Sequence, residues 1–470
     1  MRDPVGLATL VGMAIAIIRY RDPSVNAAWS SLMTADPCGS APIWGLAAER
    51  IAPRPLPAAR LIGPAGDPAP MATTTRFAYA PGTILHGPGC VGTLGAELDA
   101  LDVGRALLVT GRTTGSVAEL IEPVRAGLGE RLVAMYDETT PAKTLGMAAD
   151  AAARAAEHGC EAIVAVGGGG TIDTATQACL LAGHDGDPHD VAGAMVDAGR
   201  VTLPGEATPP PLVAIPTTLA GADLSQSAGV GLSMRTDVHE KAAVPGGGVS
   251  DPRLMPAVLV YDAELAATTP PDILARSAMN GYDKGIELLY SRHRTPVTDA
   301  TATRGLSLLQ SSLPAIRDDP DSAALVPVME GIALVQYGVS GPDVARASII
   351  HAFGQALSGR YPIQQGVAHG LAAPHVLAYL FEHVDGRRDL LADALGVAEA
   401  DDPADAVVGA VASLRDALGL PGRLDAVVDV ADDDPATIAA AVLDNDLMAA
   451  APAGLSPTAA ELADVVEAIR

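Results

Sequence analysis

Hydrophobic positions change their spacing once along this 470-residue chain, near Asp262. Before that point, short unbroken apolar runs alternate with stretches of helical spacing. Phe77–Tyr79, Thr83–Leu85, Arg105–Thr110, Leu132–Tyr136, Ala162–Val166, Leu212–Pro216 and Ala257–Asp262 are expected as strands. Thr114–Leu128, Thr144–His158 and Thr171–Ala182 repeat apolar residues every three to four positions, as a helix with one buried face does. Repeated strand–helix units predict a mostly parallel sheet covered on both faces. After Asp262 only helical spacing remains: Pro271–Tyr290, Val297–Leu313, Ala323–Val339, Ala345–Leu357, Val367–Leu380, Ala404–Leu418, Thr437–Ala450 and Thr458–Ile469. The fold class expected is an α/β N-terminal domain with a mostly parallel sheet over residues 71–265, followed by an all-α domain over 266–470. The acidic stretches at Asp401–Asp402 and Asp432–Asp434 are expected as solvated loops.

Residues 1–70 do not share these patterns. They hold both tryptophans, Trp29 and Trp44, and are rich in proline from about residue 52 onward. The apolar run Val5–Ile18 falls short of the ~20 residues a membrane span needs. It has a poor signal-peptide n-region. Three readings stay open: a mis-chosen start with Met71 as the true one, a disordered extension, or an anchor.

Composition narrows the function classes. The net charge is −26, and a surface this acidic repels phosphate backbones, so nucleic acid is excluded as a partner. Only three lysines occur, Lys143, Lys241 and Lys284. An acid-rich, lysine-poor chain is expected to be salt-adapted, or halophilic. The four cysteines form no CxxC pair, so neither a zinc motif nor a disulfide framework is expected, and a reducing cytoplasm is the expected compartment. No membrane partner is expected.

Two loops carry the chemistry of the first half. Ile163–Val166 runs into Gly167, Gly168, Gly169 and Gly170, then Thr171 and Asp173 at the start of a helix. Glycines let the backbone approach a diphosphate, and the helix start offers free N–H groups to an anion. Asp173 is expected to cap that helix. The run is not GxGxxG, and taken alone it also fits a plain strand–helix turn. A second strand, Val213–Pro216, ends in Thr217 and Thr218, hydroxyls that can bond phosphate or ribose, or only cap a turn. Both loops lie at carboxyl ends of parallel strands, where open sheets bind ligands.

These segments resemble the iron-containing alcohol dehydrogenase superfamily, closest to its maleylacetate reductase branch. Gly167–Ala175 is similar to the GGGSxxDxA turn, with Gly170 in the Ser position. Ile215–Ser225 has the spacing of PTTxAGSEMT, and Asp251–Pro256 matches DPxLLP. Pro81–Gly89 and Leu443–Met448 resemble the two ends of the family pattern. The resemblance implies a dehydroquinate synthase-like architecture and NAD(P)-linked interconversion of a small-molecule carbonyl and alcohol. It also implies a site between the two halves, and a homodimer is expected. Two alternatives are a non-catalytic nucleotide-binding relative and a sugar-phosphate cyclase of the same fold.

The resemblance also implies a divalent metal, and here the pattern departs. The four ligand positions, one Asp and three His in metal-dependent members, fall on Asn280, Lys284, His351 and Gln365. Asn, Lys and Gln are poor ligands, so a metal is doubtful. A shifted site using Asp283, His351 and His369 is the weak alternative. Lys284 is instead expected to replace the metal's charge, stabilising a developing alkoxide and delivering a proton. The plain alternative makes it an exposed lysine paired with Glu287. Asn280, His351 and His369 are the other catalytic candidates, with His351 and His369 read as proton relay or carboxylate binders, or as structural histidines. For the cofactor, Gly111 and Arg112 end the strand Arg105–Thr110; without an acid there, NADP is expected to be accepted besides NAD, with Arg112 on the 2′-phosphate.

The acidic composition carries its own test. The melting temperature is expected to rise from dilute buffer to molar potassium chloride; full stability without salt counts against salt adaptation.

Overall fold

The computed structural model describes residues 77, 79, 81–184, 186–240, 244–318, 320–341, 344–431 and 434–470. The extension over residues 1–70 lies outside the described residues, as do Lys241 and two of the three aspartates of the loop at 432–434.

Nine strands are described. They are β1 (Thr83–His86), β2 (Ala106–Gly111), β3 (Leu132–Thr139), β4 (Ala162–Gly167), β5 (Arg200–Val201), β6 (Leu212–Pro216), β7 (Ser227–Gly231), β8 (Gly246–Ser250) and β9 (Val258–Tyr261). Six form one sheet in the order β1-β9-β6-β4-β2-β3, and every pairing in it is parallel. All residues of β2 and β4 are buried. Their side chains divide between two cores: Leu107, Val109, Ile163 and Ala165 face one, Leu108, Val164 and Val166 the other. That two-sided burial is why these strands read as continuous apolar runs. β3 lies on one side of β2 and β4 on the other, so the chain reverses its winding between β2 and β4. Ligands of open parallel sheets sit at the carboxyl ends of strands at such a reversal. Both Gly111 and the four-glycine turn stand there.

The first half contributes six helices: α1 (Leu94–Ala100), α2 (Arg112–Gly115), α3 (Ala118–Leu128), α4 (Leu145–Glu157), α5 (Gly169–Ala182) and α6 (Pro188–Ala198). After β9 come α7 (Ala263–Ala266), α8 (Pro271–Tyr290), α9 (Pro296–Ser312), α10 (Ser322–Gln336), α11 (Ile349–Arg360), α12 (Gln365–His383), α13 (Arg388–Ala394), α14 (Pro403–Ala417), α15 (Asp434–Leu443) and α16 (Ala459–Ile469). Among the described residues no helix is long and apolar enough to cross a membrane.

Several expectations are corrected. Phe77 and Tyr79 carry no strand; their rings pack with Tyr337 instead. The helix expected over Thr114–Leu128 is broken into α2 and α3 around Ser116 and Val117. The stretch expected to be helical from Ala345 starts its helix only at Ile349. β5, β7 and β8 form a second, three-stranded sheet that the hydrophobic pattern did not show. β7 and β8 read SAGVG and GGGVS, so their glycines leave no alternation of bulky side chains to recognise.

α8 is the central helix of the second half, and every residue from Gly281 to Tyr290 is buried. Pro271 begins it with Asp272 in the first turn, a favourable start for a helix dipole. Gly281 is where α8 meets the loop after β6. A Cβ there would lie 2.3 Å from the carbonyl oxygen of Leu219 and 2.4 Å from Ile332 Cδ1. Replacing Gly281 by Ala is therefore expected to cost about 1–3 kcal/mol through overpacking. Gly193→Ala, at an exposed α6 position with open space around it, is expected to be neutral or stabilising by up to about 1 kcal/mol. Thermal denaturation of the two variants checks the contrast.

Candidate functional site

The site begins where β4 ends. Gly167 adopts φ of +151°, a conformation that suits glycine, and its carbonyl accepts the N–H of Thr217 at 3.0 Å. That bond ties the glycine turn to the loop after β6. Gly168 caps α5, and Gly169 and Gly170 form its first turn, so the helix begins inside the glycine run. Thr171 Oγ1 bonds Thr139 Oγ1 at 2.7 Å, joining the end of β3 to the first turn of α5. Gly168, Gly169, Gly170, Thr171 and Thr218 line a cavity of about 620 Å³ together with Gly111 and Arg112. Thr217 is buried; its carbonyl accepts from Thr269, and it does not line this cavity. Glu138 faces the same cavity as Arg112, a carboxylate the strand-end reading of Gly111 did not anticipate.

Asp173 does not cap α5, which starts four residues earlier. Its carboxylate is instead ion-paired with Lys143. This pair lies on the wall shared by two further cavities of about 460 and 730 Å³. The first and second cavities share Gly169, Gly170 and Thr218; the second and third share Asn280 and Gln365. A continuous polar groove therefore runs from Gly111 past the glycine turn to α8.

α8 supplies the group at the far end. Lys284 is 9% exposed, and its Nζ donates to the carbonyls of Ala220 (2.8 Å) and Gly221 (2.6 Å). An ammonium has three N–H donors, so one remains for the cavity. Burial lowers the Lys284 pKa to about 8, against the opposing pull of Asp223, Asp173 and Glu287. Gln336 also donates to the Gly221 carbonyl. Asp223 is buried beside this clamp and receives the Tyr261 hydroxyl; burial shifts it toward its neutral acid, and Tyr261 and Lys284 oppose that shift. Lys284 is neither exposed nor paired with Glu287.

Glu287 serves α11. Its carboxylate accepts the N–H of Ser348 (2.8 Å) and of His351 (3.0 Å), and its Oε2 lies 2.6 Å from His351 Nδ1 without hydrogen-bond geometry. His351 lines the third cavity, and its Nε2 is buried without a hydrogen-bond partner among the described residues. His369 lies edge-on to His351, with ring centroids 4.3 Å apart. Its Nδ1 is 3.1 Å from Asp283 Oδ2, and its Nε2 is 3.4 Å from the Gln365 amide nitrogen. Asp283 is pushed well above the usual carboxylate range, first by burial and then by Glu287. Among the described residues no three His, Cys, Asp or Glu side chains are grouped to hold a metal ion. Asp283, His351 and His369 adjoin without forming such a group.

Thus Asn280, Lys284, His351, Gln365 and the Lys143–Asp173 pair converge on one cavity, with His369 directly behind. Gly167 and Thr217 act through the backbone. Sequence reasoning missed Lys143, Gln336, Asp223 and Glu287. The scarcity of lysine was the one signal that could have marked Lys143. The other three are placed by contacts across at least 38 residues.

Comparison with known proteins gives the fold a lineage. The NAD-dependent methanol dehydrogenase of Bacillus methanolicus is 28% identical over 312 residues, covering 65% of this chain and 76% of that protein. The maleylacetate reductase of Pseudomonas sp. strain P51 is 27% identical over 320 residues, covering 67% and 78%. The structure of sulfoacetaldehyde reductase from Bifidobacterium kashiwanohense in complex with NAD+ superposes with a TM-score of 0.73 at 20% identity, covering 84% of this chain and 99% of that one. The family model for iron-containing alcohol dehydrogenase matches residues 81–263, and that for the C-terminal part of the Fe-containing alcohol dehydrogenase family matches 274–469. The chain belongs to the iron-containing alcohol dehydrogenase family and is a nicotinamide-dependent oxidoreductase that interconverts a carbonyl and an alcohol.

Proposed function

We propose that this protein reduces a small carbonyl compound, or oxidises the matching alcohol, with the Lys284 ammonium in the place of a metal ion. The observation that carries this reading is the clamp on Lys284: two carbonyls fix its Nζ at the edge of the polar cavity and leave one donor. The residues at the four ligand positions, Asn280, Lys284, His351 and Gln365, do not fit a divalent ion. An ammonium at the cavity repels a second cation, and two of the others are neutral amides.

A nicotinamide cofactor does fit. Gly168, Gly169, Gly170 and Thr218 would hold its diphosphate at the start of α5, and Gly111 and Arg112 lie where its adenosine end would reach. When bound, it supplies or accepts the hydride. The protein's own part is electrostatic. As hydride reaches the carbonyl carbon, negative charge grows on the oxygen, and a fixed ammonium stabilises it without reorganising. With its pKa near 8, Lys284 can then release a proton to that oxygen near neutral pH. We read residues 71–265 as the nucleotide-binding domain and 266–470 as the substrate domain, in a cytoplasmic, salt-adapted enzyme. Arg112 supports acceptance of NADP, and Glu138 in the same cavity opposes the 2′-phosphate.

Activity is expected to survive exhaustive chelation, and Lys284→Ala is expected to lower kcat by about a hundredfold or more while the cofactor still binds. The acting form is the protonated one, so carbonyl reduction should hold below pH 8 and fall about tenfold per unit above it. Lys284→Arg, always charged but unable to release its proton, should remove that fall while lowering kcat. A requirement for Zn²⁺ or Fe²⁺ refutes the reading, and cofactor binding without any turnover favours a non-catalytic relative. In a second comparison, Arg112→Ala should lower kcat/KM for NADPH about tenfold and leave NADH little changed, with Glu138→Gln acting in the opposite sense. A tenfold preference of the parent enzyme for NADH refutes the role given to Arg112.

A further inference from the structure

Lys143 is fixed by its surroundings in a way that a solvated lysine is not. Its φ is +40°, in the left-handed region that residues other than glycine seldom adopt. Such a backbone persists where neighbouring groups over-determine it. The Lys143 N–H donates to the Thr140 carbonyl at 3.0 Å, and the Lys143 carbonyl accepts the N–H of Gly231 at 3.1 Å and the Gln177 amide at 3.3 Å. The same Gln177 nitrogen donates to the Gly229 carbonyl at 3.1 Å. Gly229 in turn makes room for the ammonium, because a Cβ there would lie 2.8 Å from Lys143 Nζ. Asp173 and Gln177 stand one turn apart on α5, so a single helix face holds both the main chain and the ammonium of Lys143.

The ion pair that results faces ligand space. Lys143 and Asp173 both line the second and third cavities, the first of which reaches Gly169 and Gly170 and the other Lys284. Asp173 is also among the charges that act on Lys284. With the diphosphate at the glycine turn and the reacting oxygen at Lys284, the nicotinamide end of the cofactor would lie along this wall. That ring is neutral in the reduced cofactor and positively charged in the oxidised one, and the two forms are otherwise alike in charge. A bare carboxylate here would hold the oxidised form preferentially, whereas a carboxylate carrying an ammonium presents little net charge.

We propose that Lys143 neutralises Asp173 and so keeps the site from favouring the oxidised cofactor, which is then free to leave once the carbonyl has been reduced. Lys143 is a positioning residue in this role, because it acts through Asp173 and not on the substrate. The proposal rests on the placement of the cofactor given under the proposed function.

Equilibrium binding tests it. The full-length protein is titrated with NAD+ and with NADH, or with the NADP pair where that binds more tightly, and the ratio of the two dissociation constants is the readout. Lys143→Met keeps the aliphatic stem and removes the charge; it is expected to shift the ratio about tenfold toward the oxidised form. Asp173→Asn leaves the ammonium unpaired and should shift the ratio toward the reduced form. The double variant should return it close to the parent value. A purely structural pair would change both affinities together. A ratio unmoved by either single variant, or Lys143→Met weakening both forms by one common factor as loss of a phosphate-binding lysine would, overturns the proposal and leaves the oxidoreductase reading intact. Should Lys143→Met fail to fold, the sign of the shift in Asp173→Asn decides the matter. Failure of the parent protein to bind either form would bring down the cofactor placement as well.

Discussion

A buried ammonium held by two main-chain carbonyls joins the two halves of this protein. Lys284 comes from the first helix of length in the second half, and Ala220 and Gly221 come from the loop that closes β6. Charge taken out of water must be repaid by fixed dipoles, and two carbonyls with a neighbouring carboxyl group do so here. The loop that supplies them also carries Thr218 to the cavity lined by Gly168, Gly169 and Gly170, and Thr217 to the glycine turn. One short segment thus sets the spacing between the glycine turn and the cation. Gly281, one turn before Lys284, makes the approach close enough, because no side chain separates α8 from Leu219.

Polar groups in the groove follow a consistent logic of neutralisation. Lys143 meets Asp173, His351 meets Glu287, and Asp283 moves toward its acid form behind His369. Among the described residues, what remains facing the cavity is amide and hydroxyl chemistry plus the Lys284 ammonium. A site of that kind orients its substrate by hydrogen bonds and concentrates its electrostatics on one atom.

Much of this was legible in the sequence, for physical reasons that differ by element. β2, β4 and β6 were readable because strands buried on both faces must be apolar throughout. The helices after Asp262 were readable because each buries one face against a shared core. The glycine turn and Lys284 were readable because the residue types themselves are rare at such places. The sheet of β5, β7 and β8 was not, since glycine strands carry no periodic signal. Nor was the true partner of Asp173, because an ion pair between residues 143 and 173 depends on how β3 and α5 come together. The position of Glu287 three helices away from its backbone partners is likewise a property of packing alone.

That last contact has a consequence for how the second half assembles. α11 makes no side-chain cap of its own at Ser348; the N–H groups of Ser348 and His351 at its start go to a carboxylate carried by α8. A helix whose start is satisfied only by another helix gains little from forming early and alone. The start of α11, and His351 with it, is therefore held in place by α8, the same helix that holds the cation.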